Sequence, residues 1–274
     1  MTLVVPRSTL SARDAQALAR AVGRLENETL ARRLAEVAGR SVDGALQTLP
    51  RPLKASVDTA VEKAILRCLD IAVKSMKPGA ARAPRPRIAT LLAGLSGSVG
   101  GALGIAGLPI ELPLTTILML RAIADIARHH GEDLSILDAR LACVEVFALG
   151  AGSQKRRVDV GYYASRAMLA RASSDAVNIF VERGITGAAL PVVSQFVAEI
   201  AERFGLVVSE RIAVSALPLG GAIGGAAINA VFMDYFQELA QGHFVVRRLE
   251  RIYGANVIEQ HYLCLAGNIA RTRK

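Results

Sequence analysis

A chain of 274 residues allows one large domain or two small ones, and either can bury a substantial core. Hydrophobic residues make up 52% of it, aromatics only 4%, and Trp is absent, which argues against an aromatic- and Thr-rich sandwich or barrel and for an all-α protein. The net charge of +9 is uneven: residues 1–87 carry 16 Lys/Arg against 8 Asp/Glu, whereas residues 88–153 carry 3 against 6, and no zinc-finger spacing or aromatic-interleaved basic motif turns the surplus into a nucleic-acid module.

In chain order, the opening residues lack a charged segment followed by a long apolar one and a small-residue cleavage site, so export by a signal peptide is not expected. Residues 12–39 read as helix, with Leu18, Val22, Leu25, Leu30, Leu34 and Val37 recurring at helical spacing and Gly23 and Gly39 as breaks. Ala55 to Met76 shows a second amphipathic pattern through Val57, Val61, Ile65, Leu69 and Val73, with Asp58, Glu62, Asp70 and Lys74 on its solvated face. Lys77 to Arg87 combines Pro78, Pro84 and Pro86 with basic residues and reads as a linker.

Two uncharged, glycine-rich runs follow. "IATLLAGLSGSVGGALGIAGLPI", residues 88–110, and "IAVSALPLGGAIGGAAINAVFM", residues 212–233, are 23 and 22 residues long, enough to span a bilayer. Small residues four apart (Ser96, Gly100, Gly104; Gly220, Gly224) let helix backbones approach closely. The expected architecture is a helical bundle around these two hydrophobic helices, with a membrane hairpin as the alternative. Each run leads into a helix with a late polar stripe: Arg121, Asp125 and Arg128 on the helix beginning near Leu114, and Asp234, Gln237, Glu238 and Gln241 on the one after Pro218.

Candidate chemistry is sparse. Glu111 lies between Pro109 and Pro113; with Pro113 in the first helical turn it reads as a start signal facing the positive end of the dipole, or else as a buried partner of Arg121. Arg121 and Asp125 form a surface ion-pair ladder or an anion fork. "HHGED", residues 129–133, lacks the spacing of a metal site, and Gly131 reads as a helix C-terminal cap. His243 could exchange a proton with Asp234, or be a helix-start or core-edge residue. Cys68, Cys143 and Cys264 are too scattered for a disulfide framework or a metal knuckle and fit a reducing cytosol. The nucleophile elbow, the phosphate loop and the dinucleotide fingerprint are all absent, so no cofactor and no metal is expected.

Three blocks carry a resemblance: "GLPIELPLTTILMLRAIADIARHHGEDL", "LACVEVFALG" and "ALPLGGAIGGAAINAVFMDYFQELAQGHFVVRRLERIYG". Together they resemble the EcsC family of bacterial proteins, from about Val57 to Tyr262, which suggests an extension at residues 1–50 and a family domain at residues 51–274. The resemblance implies a cytoplasmic accessory role, peripheral to the inner membrane and connected with ABC export, and supplies no catalytic residue. The expected activity is binding rather than catalysis, with Lys and Arg of residues 51–87 and "RRLER" meeting anionic lipid and a groove between the Gly-rich helices taking an acyl ligand or a membrane-protein partner. The residues expected to bind are Glu111, Thr115, Arg121, Asp125, Asn229, Asp234, His243 and Arg247. An enzyme with a buried Glu/Arg/Asp/His pocket and a protein–protein adaptor of a membrane complex are the alternatives.

Overall fold

The fold was established from a computed structural model, which describes residues 9–26, 29–39, 51–75, 108–150, 161–170, 190–215 and 222–272. Every regular element among them is a helix: α1 (Ala12–Glu26), α2 (Leu30–Ala38), α3 (Arg51–Ser75), α4 (Leu108–His129), α5 (Leu137–Leu149), α6 (162–170), α7 (Leu190–Ser215), α8 (Ala222–Tyr253) and α9 (Ala255–Thr272). The protein is all-α, as composition and periodicity predict.

The amphipathic reading of α1 is correct, since Leu18, Ala21 and Val22 are its buried residues. Gly23, however, does not break it. The helix continues to Glu26, because packing of its apolar face outweighs the roughly 1 kcal/mol a glycine costs inside a helix. Gly39 does end α2, in the left-handed conformation at φ 63. α3 begins before Ala55, with Pro52 in its first turn, where a missing N–H costs nothing.

α4 departs from expectation at its start. It begins by Leu108, which places Pro113 inside the helix rather than in its first turn. Pro113 has no N–H for the carbonyl four residues back, and burial of Leu112, Thr115 and Thr116 offsets that loss. The far end of α4 matches expectation. The Gly131 N–H bonds the Arg128 carbonyl (3.0 Å) and the Glu132 N–H bonds that of Ala127 (3.0 Å), with Gly131 at φ 80. This is a Schellman turn, and it throws Glu132 back toward the bundle.

α8, 32 residues and about 48 Å long, holds the molecule together. Its first half shares a large core with α2, α3, α4, α5 and α7. At the centre of that core the rings of Phe147, Phe204, Phe232 and Phe236 interlock, with centroids 4.9 Å apart for Phe147 and Phe204 and 5.2 Å for Phe232 and Phe236. Gly150 closes it: a Cβ there would stand 2.9 Å from the Phe236 ring, and the Gly150 carbonyl accepts the Tyr235 hydroxyl at 2.9 Å. The second half of α8 forms a smaller core with α1, α9 and Tyr162. α1 and α2 are therefore packed onto the C-terminal helices, α1 on α8 and α9, α2 on α7 and α8.

The two uncharged runs are only partly visible. Most of the first, and residues 216–221 of the second, lie outside the described residues; 212–215 close α7 and 222–233 belong to α8. Among the described residues no helix is long and apolar enough to cross a membrane.

Candidate functional site

His130, just past α4, bonds Gln241 at 2.8 Å, and the apolar residues of α4 share a core with Ile228 to Phe244 but not with the second half of α8. α4 thus runs in the same direction as the first half of α8, and both begin at one end of the bundle. Toward that end the core holds polar groups. Thr115 is 0% exposed, and its hydroxyl has no partner among the described residues. The Thr116 hydroxyl donates to the Leu112 carbonyl at 2.7 Å, Asn229 is buried, and Arg211 of α7 is 3% exposed with its guanidinium 5.2 Å above the Phe232 ring. A cation in such a place is costly unless something there stabilises it, and an aromatic face supplies part of that.

A second polar constellation lies in the smaller core. His243 is completely buried, and its Nδ1 is 2.9 Å from the Tyr162 hydroxyl, while no described residue partners Nε2. Tyr163 donates to Glu250 at 2.7 Å, Arg166 donates to the same oxygen at 2.7 Å, and Arg166 also lies over the Tyr162 ring. Tyr262 stacks on Tyr162 and donates to Glu26 at 2.7 Å. Burial, reinforced by the positive charges of Arg166 and Arg247, holds the His243 imidazole well below its ordinary value. Burial likewise pushes the Tyr162 phenol up. The pair is thus neutral, a hydrogen-bonded strut without access to solvent.

The third feature is a clamp. Arg247 donates to Glu132 through Nε at 3.0 Å and to Asp138 at 2.9 Å; Arg251 donates to Glu132 and to the His130 carbonyl at 2.9 Å. Burial opposes the charge of Arg247, but the Glu132 and Asp138 carboxylates outweigh it and raise its affinity for the proton. Arg248 is held by Asp14 at 3.2 Å. The arginines of "RRLER" are therefore engaged by carboxylates of the chain itself.

Of the expected binding residues, Thr115 and Asn229 enter the same core. Arg121 and Asp234 face solvent, Asp125 pairs with Arg128 at 2.9 Å, and Glu111 lies on α4, its side chain outside the described ones. His243 meets Tyr162 rather than Asp234, and Arg247 belongs to the clamp. The polar stripe of α8 is broken, since Gln237 is buried. Sequence reasoning missed Arg211 and the tyrosine constellation. Arg211 had a signal, a lone cation directly before a 22-residue uncharged run. So did Tyr162 and Arg166, a stacking pair at helical spacing in a chain with only five tyrosines. Among the described residues no group of His, Cys, Asp and Glu could hold a metal ion.

No curated protein and no solved structure is significantly similar to the chain. The family match begins at residue 14 and ends at 249, so it takes in α1 and α2, which the blocks of resemblance left out, and stops short of α9. Covering the larger core and part of the smaller, that match over residues 14–249 identifies the chain as a member of the EcsC protein family.

Proposed function

We propose that this protein is an accessory protein of the cytoplasmic membrane surface, connected with ABC export, that binds an anionic amphiphile rather than catalysing a reaction. The observation carrying this reading is Arg211, a cation 3% exposed near the end of α7 and directly before an uncharged run of 22 residues in the sequence. A guanidinium suits a carboxylate or phosphate head group, and the uncharged runs suit an acyl chain. Binding is favoured over acid–base catalysis because Arg121 and Asp234 lie at the surface while His243 and Arg247 are committed to Tyr162 and to Glu132. The test is native mass spectrometry with lipid extraction on protein purified without detergent, together with flotation on phosphatidylcholine vesicles with and without phosphatidylglycerol. A co-purified anionic lipid or fatty acid, lost in Arg211→Met and retained in Arg211→Lys, supports the reading. Ligand-free protein that partitions equally between the two vesicle types overturns it in favour of a protein–protein adaptor.

A further inference from the structure

Three arginines of α1 have no part in the contacts described so far. Arg13, Arg20 and Arg24 are all exposed, and none pairs with a carboxylate among the described residues. Their spacings of seven and four residues place them within about 40° of one another around the helix. Leu18, Ala21 and Val22 point away from them into the smaller core. Both α1 carboxylates are drawn inward instead. Asp14 accepts the Tyr253 hydroxyl at 2.8 Å and Arg248 at 3.2 Å, and Glu26 accepts the Tyr262 hydroxyl at 2.7 Å and the Tyr162 N–H at 3.1 Å. Folding thus sorts the charges of α1, acids in and arginines out.

The stripe runs toward the end of α4: His130 bonds Gln241, and the neighbouring Gly242 packs against Ala21 and Leu25, so the C-terminal turn of α1, with Arg24, lies on the side of the bundle where α4 ends. The relief of the face is low, since the other exposed residues of α1 are Ala12, Ala15, Gln16 and Ala19. No aromatic ring stands among them to stack on a base, and α1 lies along α8 and α9 rather than projecting into a groove. A straight rank of three cations spanning about 16 Å on a flat face fits a planar array of negative charge.

Resting on the membrane-surface reading above, we propose that the outer face of α1, through Arg13, Arg20 and Arg24, is the surface that docks on anionic phospholipid. The contact is electrostatic and reversible, without insertion, because that face offers no large apolar side chain. The experiment is co-sedimentation of the full chain with phosphatidylcholine vesicles containing or lacking phosphatidylglycerol, at low and high salt. The triple variant R13Q/R20Q/R24Q removes the stripe. R32Q/R203Q/R271Q removes the same net charge from α2, α7 and α9 and serves as the control. Since a cation near an anionic membrane contributes about fivefold, the stripe variant is expected to lose on the order of 100-fold in affinity for the anionic vesicles. The control should bind as the unmodified chain does, and salt should abolish all binding. Because the three side chains make no hydrogen bond or ion pair among the described residues, an unchanged circular dichroism melt is expected and shows that the loss is not unfolding. Equal losses in the two triple variants, or an unchanged stripe variant, overturn the inference while leaving the membrane reading intact. Failure of the unmodified chain to bind anionic vesicles overturns both, as does stripe-dependent binding confined to an acidic polypeptide.

Discussion

Replacing Glu132 by Gln tests whether the arginines of "RRLER" are held by the fold. The Glu132 side chain is 5% exposed and receives Arg247, 17% exposed, and Arg251, 42% exposed. Removing one partner of a fully buried ion pair costs about 3–5 kcal/mol, because the other charge is left desolvated. Arg251 reaches water and its share is a few tenths. Arg247 keeps Asp138, and the amide oxygen of the new side chain still accepts one hydrogen bond. The expected loss is therefore about 2–3 kcal/mol, which for a chain of this length lowers Tm by roughly 5 °C. Scanning calorimetry and urea titration measure it, with Arg247→Met completing a double-mutant cycle whose coupling should exceed about 1 kcal/mol. A loss below about 0.5 kcal/mol, or additivity in the cycle, would refute the reasoning and return these arginines to the solvent-facing role that the sequence alone suggests.

Two further outcomes are expected. His243 has a proton affinity lowered on folding, so the unfolded chain, with an ordinary value of about 6.5, binds more protons and stability falls as pH drops below that value. The slope from this group reaches at most about 1.4 kcal/mol per pH unit and disappears in His243→Phe, as read from urea midpoints between neutrality and pH 5; His130, shifted in the same direction, leaves a smaller residual slope. In Gly242→Ala the new Cβ would meet Leu25 Cγ at 2.7 Å and the Ala21 carbonyl at 3.2 Å, so α1 must shift outward. The expected cost is about 1–3 kcal/mol, with amide exchange accelerated in α1 but not in α5.

Legibility followed the range of the interactions. The amphipathic faces of α1 and α3 are local patterns, and Leu18, Val22, Val57, Val61 and Ile65 are buried as their spacing requires. Gly39 and Gly131 were legible for the same reason, since a left-handed backbone is a property of the residue itself. Pro113 misled because helix-start chemistry is a local preference, whereas burial of Leu112 and Thr115 by partners far along the chain decides where α4 lies. His243 drew attention as a residue type, yet its partner is 81 positions away, and no local pattern encodes that distance. The sequence assigns Arg247 to ligand and lipid binding because Glu132 is brought to it only by the Schellman turn. A buried polar network combines one residue from each of several helices, so each contributor is unremarkable in its own neighbourhood.

The division of α8 between two cores has a consequence for how the molecule opens. Its apolar residues up to Phe244 belong to the core shared with α2, α3, α4, α5 and α7, whereas those from Val245, with Gly242 and His243 just before them, face α1, α9 or Tyr162. One helix therefore belongs to two cooperative units of unequal size, and the smaller can come apart at less than the free energy of global unfolding. Its opening would bare Val246, Leu249 and Ile258 while the phenylalanine core stayed intact. Hydrogen exchange along α8 should accordingly show a step near residue 244, slow before it and faster after, within a single unbroken helix.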